Sequence, residues 1–208
     1  MVDIVVFDFD GVVRFWDDTG IPALEFSAGL SEGAIEHFAF EQELLNNVVT
    51  GKITKQQWLS HIANELRCDR SIVAKWAMRP TKVDLPLLGI IQNIKAAGIK
   101  VYLASNGTDE LCIELVNLRI LDKFDGVFNS AEIGAAKPSS RFFQNLVDVL
   151  GASKRIVFID DRSDNTATAA TFGLESWLYR GQSGLSRVEL FSRLNAFCER
   201  SAWTQQSL

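Results

Sequence analysis

Apolar positions along the 208-residue chain fall into two kinds of run. In four short stretches they are nearly continuous and rich in Val, Ile and Phe: "IVVFDF" at 4–9, "IKVYLAS" at 99–105, "GVFNS" at 126–130 and "RIVFID" at 155–160. A strand with one solvated face alternates apolar with polar side chains, so unbroken runs predict strands buried on both faces, as a parallel sheet requires. "ESWLYR" at 175–180 predicts a fifth strand. Between these runs apolar residues recur at helical spacing, which predicts helices over 84–97, stopped by Gly98, over 108–118 and over 140–150, the last opened by Pro138. Strand and helix alternate from about residue 85 onward, the pattern of a doubly wound, Rossmann-like α/β fold with right-handed crossovers.

The first strand is separated from the others by roughly 70 residues, a connection too long to lack structure of its own. Residues 14–82 therefore read as an inserted all-helical unit, and 1–13 with 83–208 as a discontinuous α/β core. "SEGAIEHFAFEQELLNNVVTG" has a serine start, an acidic first turn and a glycine stop. "TKQQWLSHIANELRCD" repeats the scheme, with Trp58, Ile62 and Leu66 four residues apart, and "SIVAKWAMR" runs to Pro80.

Composition then narrows the partners. The net charge is −5, and Lys and Arg are scattered, which argues against a polyanion-binding surface and so against nucleic acid. No segment approaches the length of a membrane span, and Asp3, Asp8 and Asp10 spoil the start as a secretory signal, so no membrane partner and a cytoplasmic location are expected. Cys68, Cys112 and Cys198 are far apart and form no CxxC, against a disulfide framework or a zinc site.

The chemistry lies at the strand ends. In open α/β sheets the ligand site lies beyond the carboxyl ends of the strands. Asp8 and Asp10 end the first strand, and Asp160 and Asp161 end another. Four carboxylates on one rim repel one another unless a cation holds them, and oxygen ligands of this kind suit Mg²⁺. Ser105, Asn106 and Lys137 add a hydroxyl, an amide and an ammonium, which together with a metal make a pocket for a phosphoryl group. Asp8 is placed to be a nucleophile that takes up phosphate, and Asp10 to give and accept the proton. Each motif alone has an ordinary explanation: acids at strand ends cap turns, Asp160 and Asp161 could cap the helix of "SDNTATAATFG", Ser105 could be a turn serine and Lys137 a surface lysine. Arg14, Phe15 and Trp16 read more as packing at the hinge than as contacts to a leaving group, Trp58 and Trp76 as core of the insert, and His37 and His61 as surface or packing residues.

Taken in order, "DFDGV" at 8–12, "ASN" at 104–106, Lys137 in "AAKP" and "FIDD" at 158–161 resemble the four motifs of the haloacid dehalogenase superfamily of phosphohydrolases, across nearly the whole chain. The resemblance implies an aspartyl-phosphate on Asp8, acid and base work by Asp10, and phosphoryl binding by Ser105, Lys137 and Asn106. It implies Mg²⁺ held by Asp8, the backbone carbonyl of Asp10 and Asp161, with Asp160 acting through water. The insert resembles the small helical cap of the family's first subfamily, which closes over the site and chooses the leaving group. The expected function is a Mg²⁺-dependent phosphatase of a small phosphorylated metabolite, with a compact polar leaving group such as a sugar suggested by the aromatic and basic residues of the insert. Three alternatives remain: a dehalogenase, although family dehalogenases usually replace the second aspartate; a phosphonatase, which needs a lysine amine such as Lys52, Lys55 or Lys75; and a catalytically silent binding scaffold, which would show damaged motifs.

Overall fold

The computed structural model describes residues 2–179 and 185–205, apart from the side chains of 185, 186 and 198–205. Strand β1 (Ile4–Phe7) leads into β2 (Arg14–Trp16) and then five helices, α1 (Ile21–Ser27), α2 (Ala34–Ala39), α3 (Gln42–Val49), α4 (Lys55–Glu65) and α5 (Arg70–Ala77). The chain returns through β3 (Thr81–Val83), which pairs antiparallel with β2. From there strand and helix alternate through α6 (Leu85–Ala96), β4 (Lys100–Ser105), α7 (Leu111–Asn117), β5 (Gly126–Asn129), α8 (Ser130–Ile133), α9 (Ser140–Leu150), β6 (Ile156–Asp160), α10 (Ser163–Thr171), β7 (Glu175–Leu178) and α11 (Leu185–Gln205). Five strands form one parallel sheet in the order β5-β4-β1-β6-β7, the α/β architecture that the apolar runs predict. The fifth run was expected to reach Arg180, which lies outside the described residues.

The strands are apolar throughout because both faces of the sheet are covered. Val5, Phe7, Val101, Leu103, Val157 and Ile159 point to one side, where Leu87, Ile91 and Ile94 of α6, Leu115 of α7 and Leu194 of α11 meet them. Ile4, Val6, Ala104, Phe128, Ile156 and Phe158 point to the other side, against Phe142, Phe143 and Leu146 of α9 and Ala169 of α10. Successive residues of one strand thus belong to two different cores, as the period of two in a strand dictates.

Helices α1 to α5 have a core of their own, built on Ile35, Leu44, Val48, Trp58, Ile62, Val73 and Trp76. Trp58 and Trp76 meet edge to face in it, with ring centroids 5.8 Å apart. The two chain crossings between this bundle and the sheet run side by side: β2 and β3 are paired, and backbone bonds from Asp17 N–H to the Pro80 carbonyl and from Asp84 N–H to the Val13 carbonyl extend the pairing at both ends.

Three expectations need correction. The stretch 31–51 is two helices, α2 and α3, jointed at Phe40 and Glu41, where Glu41 is extended with ψ 131°. Ser31 does not start α2; Gly33 does, and the buried Glu25 carboxylate accepts the N–H groups of Gly33 at 2.7 Å and Ile35 at 2.8 Å, a cap supplied from another helix. Pro138 does not open α9: Ser139 is its cap, accepting from Phe142 N–H, and Pro138 lies ahead of it after a cis peptide bond. Helix α1 and the β2–β3 ribbon carried no signal strong enough to predict, being seven and three residues long.

Candidate active site

The register of the sheet assembles the acids. Phe7 of β1 lies level with Leu103 of β4 and Ile159 of β6, so the next residues, Asp8, Ala104 and Asp160, share one rim at the carboxyl end of the sheet. Asp8 N–H bonds the Ile159 carbonyl at 2.8 Å, carrying the strand pairing up to the acid itself. Lys137 comes from the loop before α9 and buries its ammonium between these strand ends. Its Nζ lies 2.8 Å from Asp8 Oδ1, 2.7 Å from Asp160 Oδ2 and 2.8 Å from the carbonyl of Ala104. A lysine almost never sits this deep without such partners.

Asn106, expected to touch a phosphoryl group, has its side chain engaged elsewhere. Its Nδ2 donates to the Lys137 carbonyl and its Oδ1 accepts the Lys137 N–H, each at 2.8 Å, so both ends of the amide clamp the backbone that carries the lysine. Asp160 is equally occupied. Besides Lys137 it accepts Arg162 N–H at 2.9 Å and Asn165 Nδ2 at 2.9 and 3.0 Å on its two oxygens. Ser105 ends β4 beside Asn129 of β5 and is buried.

Burial sets the electrostatics. It pushes the Asp8 carboxyl up to about 7, with Asp160 and Asp10 adding to the rise and the Lys137 ammonium pulling against it. Burial also raises Asp161, again with help from Asp160. Lys137 goes the other way: burial lowers it, but Asp8 and Asp160 outweigh burial and hold it above the ordinary lysine value. One carboxylate oxygen from each of Asp8, Asp160 and Asp161 lies within 4.8 Å of the others. Three acids with one buried lysine leave negative charge uncompensated, so the donor set fits a hard dication of the Mg²⁺ kind. Gly11 makes this closeness possible: its φ is +87°, and a Cβ there would lie 2.2 Å from Asp161 Oδ2.

Asp10 stands apart from the three acids. Arg14 grips it as a fork, Nε to Oδ1 at 2.7 Å and a terminal nitrogen to Oδ2 at 2.9 Å, while the other terminal nitrogen of the same guanidinium reaches Glu114 Oε2 at 2.7 Å. Glu114 in turn takes Lys55 Nζ from helix α4 at 2.6 Å, and Lys55 also lies 3.4 Å from Glu110. Burial opposes the charged form of both Arg14 and Glu114, and their partners reverse that effect, raising the arginine and lowering the glutamate. The sequence presents Arg14 mainly as packing at the hinge and gives Glu114 no marked role. The available signal is Glu110 and Glu114, four apart at the start of α7, a like-charge pair that calls for a cation.

A cavity of about 380 Å³ opens beside Asp10, Asn106 and Gly107, between the helical insert and the sheet. Trp16, Trp58 and Trp76 all line it, although the sequence presents the first mainly as hinge packing and the other two as core of the insert. His37 and His61 line a separate depression on the insert. Among the described residues no helix is long and apolar enough to cross a membrane.

Comparison with known proteins places this rim in a family. The chain is 23% identical over 175 residues to a sesquiterpene phosphatase of Aspergillus oryzae, covering 81% of this chain and 85% of that protein. It is 24% identical over 195 residues to a drimenol cyclase of Aspergillus calidoustus; the match covers 90% of this chain, which spans only 36% of that longer protein. A haloacid dehalogenase-family enzyme of Bacteroides thetaiotaomicron, solved as the wild-type protein with magnesium and inorganic phosphate, superposes with a TM-score of 0.72 at 17% identity, covering 90% of this chain and 99% of that one. The family described as haloacid dehalogenase-like hydrolase matches residues 2–173, which span the sheet rim, the insert and all four strand-end motifs. The chain belongs to the haloacid dehalogenase-like hydrolases.

Proposed function

We propose that the chain is a Mg²⁺-dependent phosphatase that hydrolyses a phosphate monoester through an aspartyl-phosphate on Asp8. The observation that carries this reading is the buried rim itself: Asp8 held 2.8 Å from Lys137, beside Asp160 and Asp161, in a pocket whose charge calls for a dication. An Asp8 oxygen attacks phosphorus and the bond from phosphorus to the ester oxygen breaks. Asp10 delivers a proton to the departing oxygen, then takes one from the water that attacks the aspartyl-phosphate, which returns Asp8 as a carboxylate and releases phosphate. Mg²⁺, when bound by Asp8, Asp161 and the Asp10 carbonyl, neutralises charge on the transferring phosphoryl group. Lys137 and Ser105 bind phosphoryl oxygens, Asn106 keeps Lys137 in place, and Asp160 anchors the lysine and acts on the metal through water. Residues 14–82 serve as a cap on a core made of 1–13 and 83–208.

The magnesium and phosphate found with the Bacteroides thetaiotaomicron enzyme, and the phosphatase named among the relatives, support the same chemistry. The phosphonatase alternative gains nothing from Lys55, whose amine is committed to Glu114 and Glu110. The test is phosphate release from an aryl phosphate with Mg²⁺, with a chelator, and by Asp8→Asn. Release that requires both the metal and Asp8 is expected; activity of Asp8→Asn near that of the unaltered protein would overturn the mechanism.

A further inference from the structure

The cavity beside Asp10 carries information about the leaving group. Its lining includes Asp10, Asn106 and Gly107, which lie within two residues of Asp8 and Ser105 in the sequence, so a group filling it would continue from a phosphoryl group held at the rim. Its walls are largely hydrocarbon: Phe40, Leu45, Val48, Val49, Trp58 and Trp76 from the insert, with Leu111 from the core.

The polar groups on the walls are mostly spent on one another. Arg14 is bonded to Asp10 and Glu114, and Lys55 to Glu114. Arg79 bonds Asp18 and the Trp76 carbonyl and lies over the rings of Trp16 and Trp76. The Trp58 indole N–H donates to the Ala39 carbonyl, and both ends of the Asn106 amide are taken by Lys137. Glu36, the remaining charged residue of the lining, is exposed to solvent. A polyhydroxylated leaving group would lose its water against rings and aliphatic chains and find few donors or acceptors in return. An apolar one would gain from every methylene it buried.

We propose that the leaving group is an apolar alcohol, so that the substrate class is the phosphate monoester of a hydrocarbon chain rather than of a sugar. This rests on the phosphatase reading of the rim and adds the identity of the group esterified to phosphate. An apolar cavity of about 150 Å³ takes one benzene ring, so one of about 380 Å³ takes a chain of about ten to fifteen carbons. The phosphate sits at the rim and the chain lies among Phe40, Trp58 and Trp76.

The experiment measures kcat/KM with Mg²⁺ for a series of n-alkyl phosphates from ethyl to dodecyl, beside glucose 6-phosphate. On the same protein it measures binding of the matching n-alkyl phosphonates, which cannot be hydrolysed, through the fluorescence of the tryptophans that line the cavity. The expected result is a rise in kcat/KM of about two- to fourfold per added methylene until the cavity is filled, with phosphonate binding tightening in parallel. Phe40→Asp, at a half-exposed position and with its denaturation midpoint measured alongside, is expected to lower kcat/KM for decyl phosphate about tenfold and flatten the slope. Turnover that is flat or falling with chain length, or highest for glucose 6-phosphate, overturns the apolar leaving group and leaves the phosphatase standing. Phosphonate binding that tightens with chain length while no phosphate ester is turned over overturns the phosphatase reading instead.

Discussion

Two clusters in this molecule share a plan, a cation set between acids, and differ in where they are put. At the rim, Lys137 lies between Asp8 and Asp160, with side chains 1%, 9% and 0% exposed. At the mouth of the cavity, Arg14 lies between Asp10 and Glu114, and Lys55 between Glu114 and Glu110, where the acids are 23–40% exposed. Charges that have lost their water depend wholly on one another, whereas partly solvated charges can be satisfied by water when a partner leaves. Near-identical distances therefore carry different energies, and burial decides which cluster the fold cannot do without.

The widest gap between the two should appear when each lysine is neutralised. Lys137→Met, measured without metal by chemical denaturation, is expected to cost about 3–5 kcal/mol, because two buried acids lose the ammonium set between them. It should also abolish turnover, and adding Asp160→Asn should restore part of the stability but none of the activity. A loss of stability below about 1 kcal/mol would show that burial does not govern the rim as argued.

The next effect is a pH dependence of opposite sign in the two clusters: the lowered Glu114 favours the fold above its usual range and loses that contribution as pH falls, whereas the rim acts the other way at higher pH. The Asp8 carboxyl is pushed up to about 7 in the folded chain, against about 4 for an unfolded aspartate. Between those values the folded state keeps a proton that the unfolded state has released, so stability falls as pH rises through the window. The whole effect is at most about 4 kcal/mol, and Asp161, raised in the same direction, adds to it. Metal-free protein should thus melt several degrees lower at about pH 7.5 than at about pH 5, and Asp8→Asn should remove most of the difference. Equal slopes in the two proteins would assign the dependence to other groups.

The same comparison explains what the sequence made legible. The strands and the rim acids could be read directly, since an apolar run that stops at an acid encodes both a buried strand and its carboxyl end within a few residues. Lys137 needed the ordered set of motifs, because one lysine before a proline says nothing of depth. Arg14, Glu114 and Lys55 meet across 100 and 59 residues of sequence, and no local pattern encodes a pairing made by the approach of two units. The tryptophans of the insert read as core on helical spacing, which they are, but that spacing does not show that Trp58 and Trp76 also face a cavity. Glu25 carries no local signal for a related reason: it caps a helix other than its own.

A smaller effect joins the rim to the loop beneath it. Gly11→Ala places a methyl group against the Asp161 carboxylate in a left-handed conformation, which costs about 1–2 kcal/mol for the backbone alone. Asp161 must then move away from Asp8 and Asp160. The rise in melting temperature on adding Mg²⁺ should shrink accordingly, and an unchanged rise would show that Asp161 does not depend on Gly11 for its place.

The smallest expected effect on stability tests the cavity mouth. Lys55→Met removes the link between α4 and Glu114, yet Glu114 keeps Arg14 and partial access to water, so stability should change by no more than about 1 kcal/mol. The consequence should appear in the chemistry. Glu114 would then bond Arg14 alone, and Arg14 holds Asp10 through both of the acid's oxygens, so a shift in the fork alters where the proton is delivered. A fall in kcat of about tenfold with little change in the denaturation midpoint is the signature of such a positioning role. A large loss of stability with kcat intact would invert the comparison: the mouth would then hold the fold together and have no part in the proton transfer.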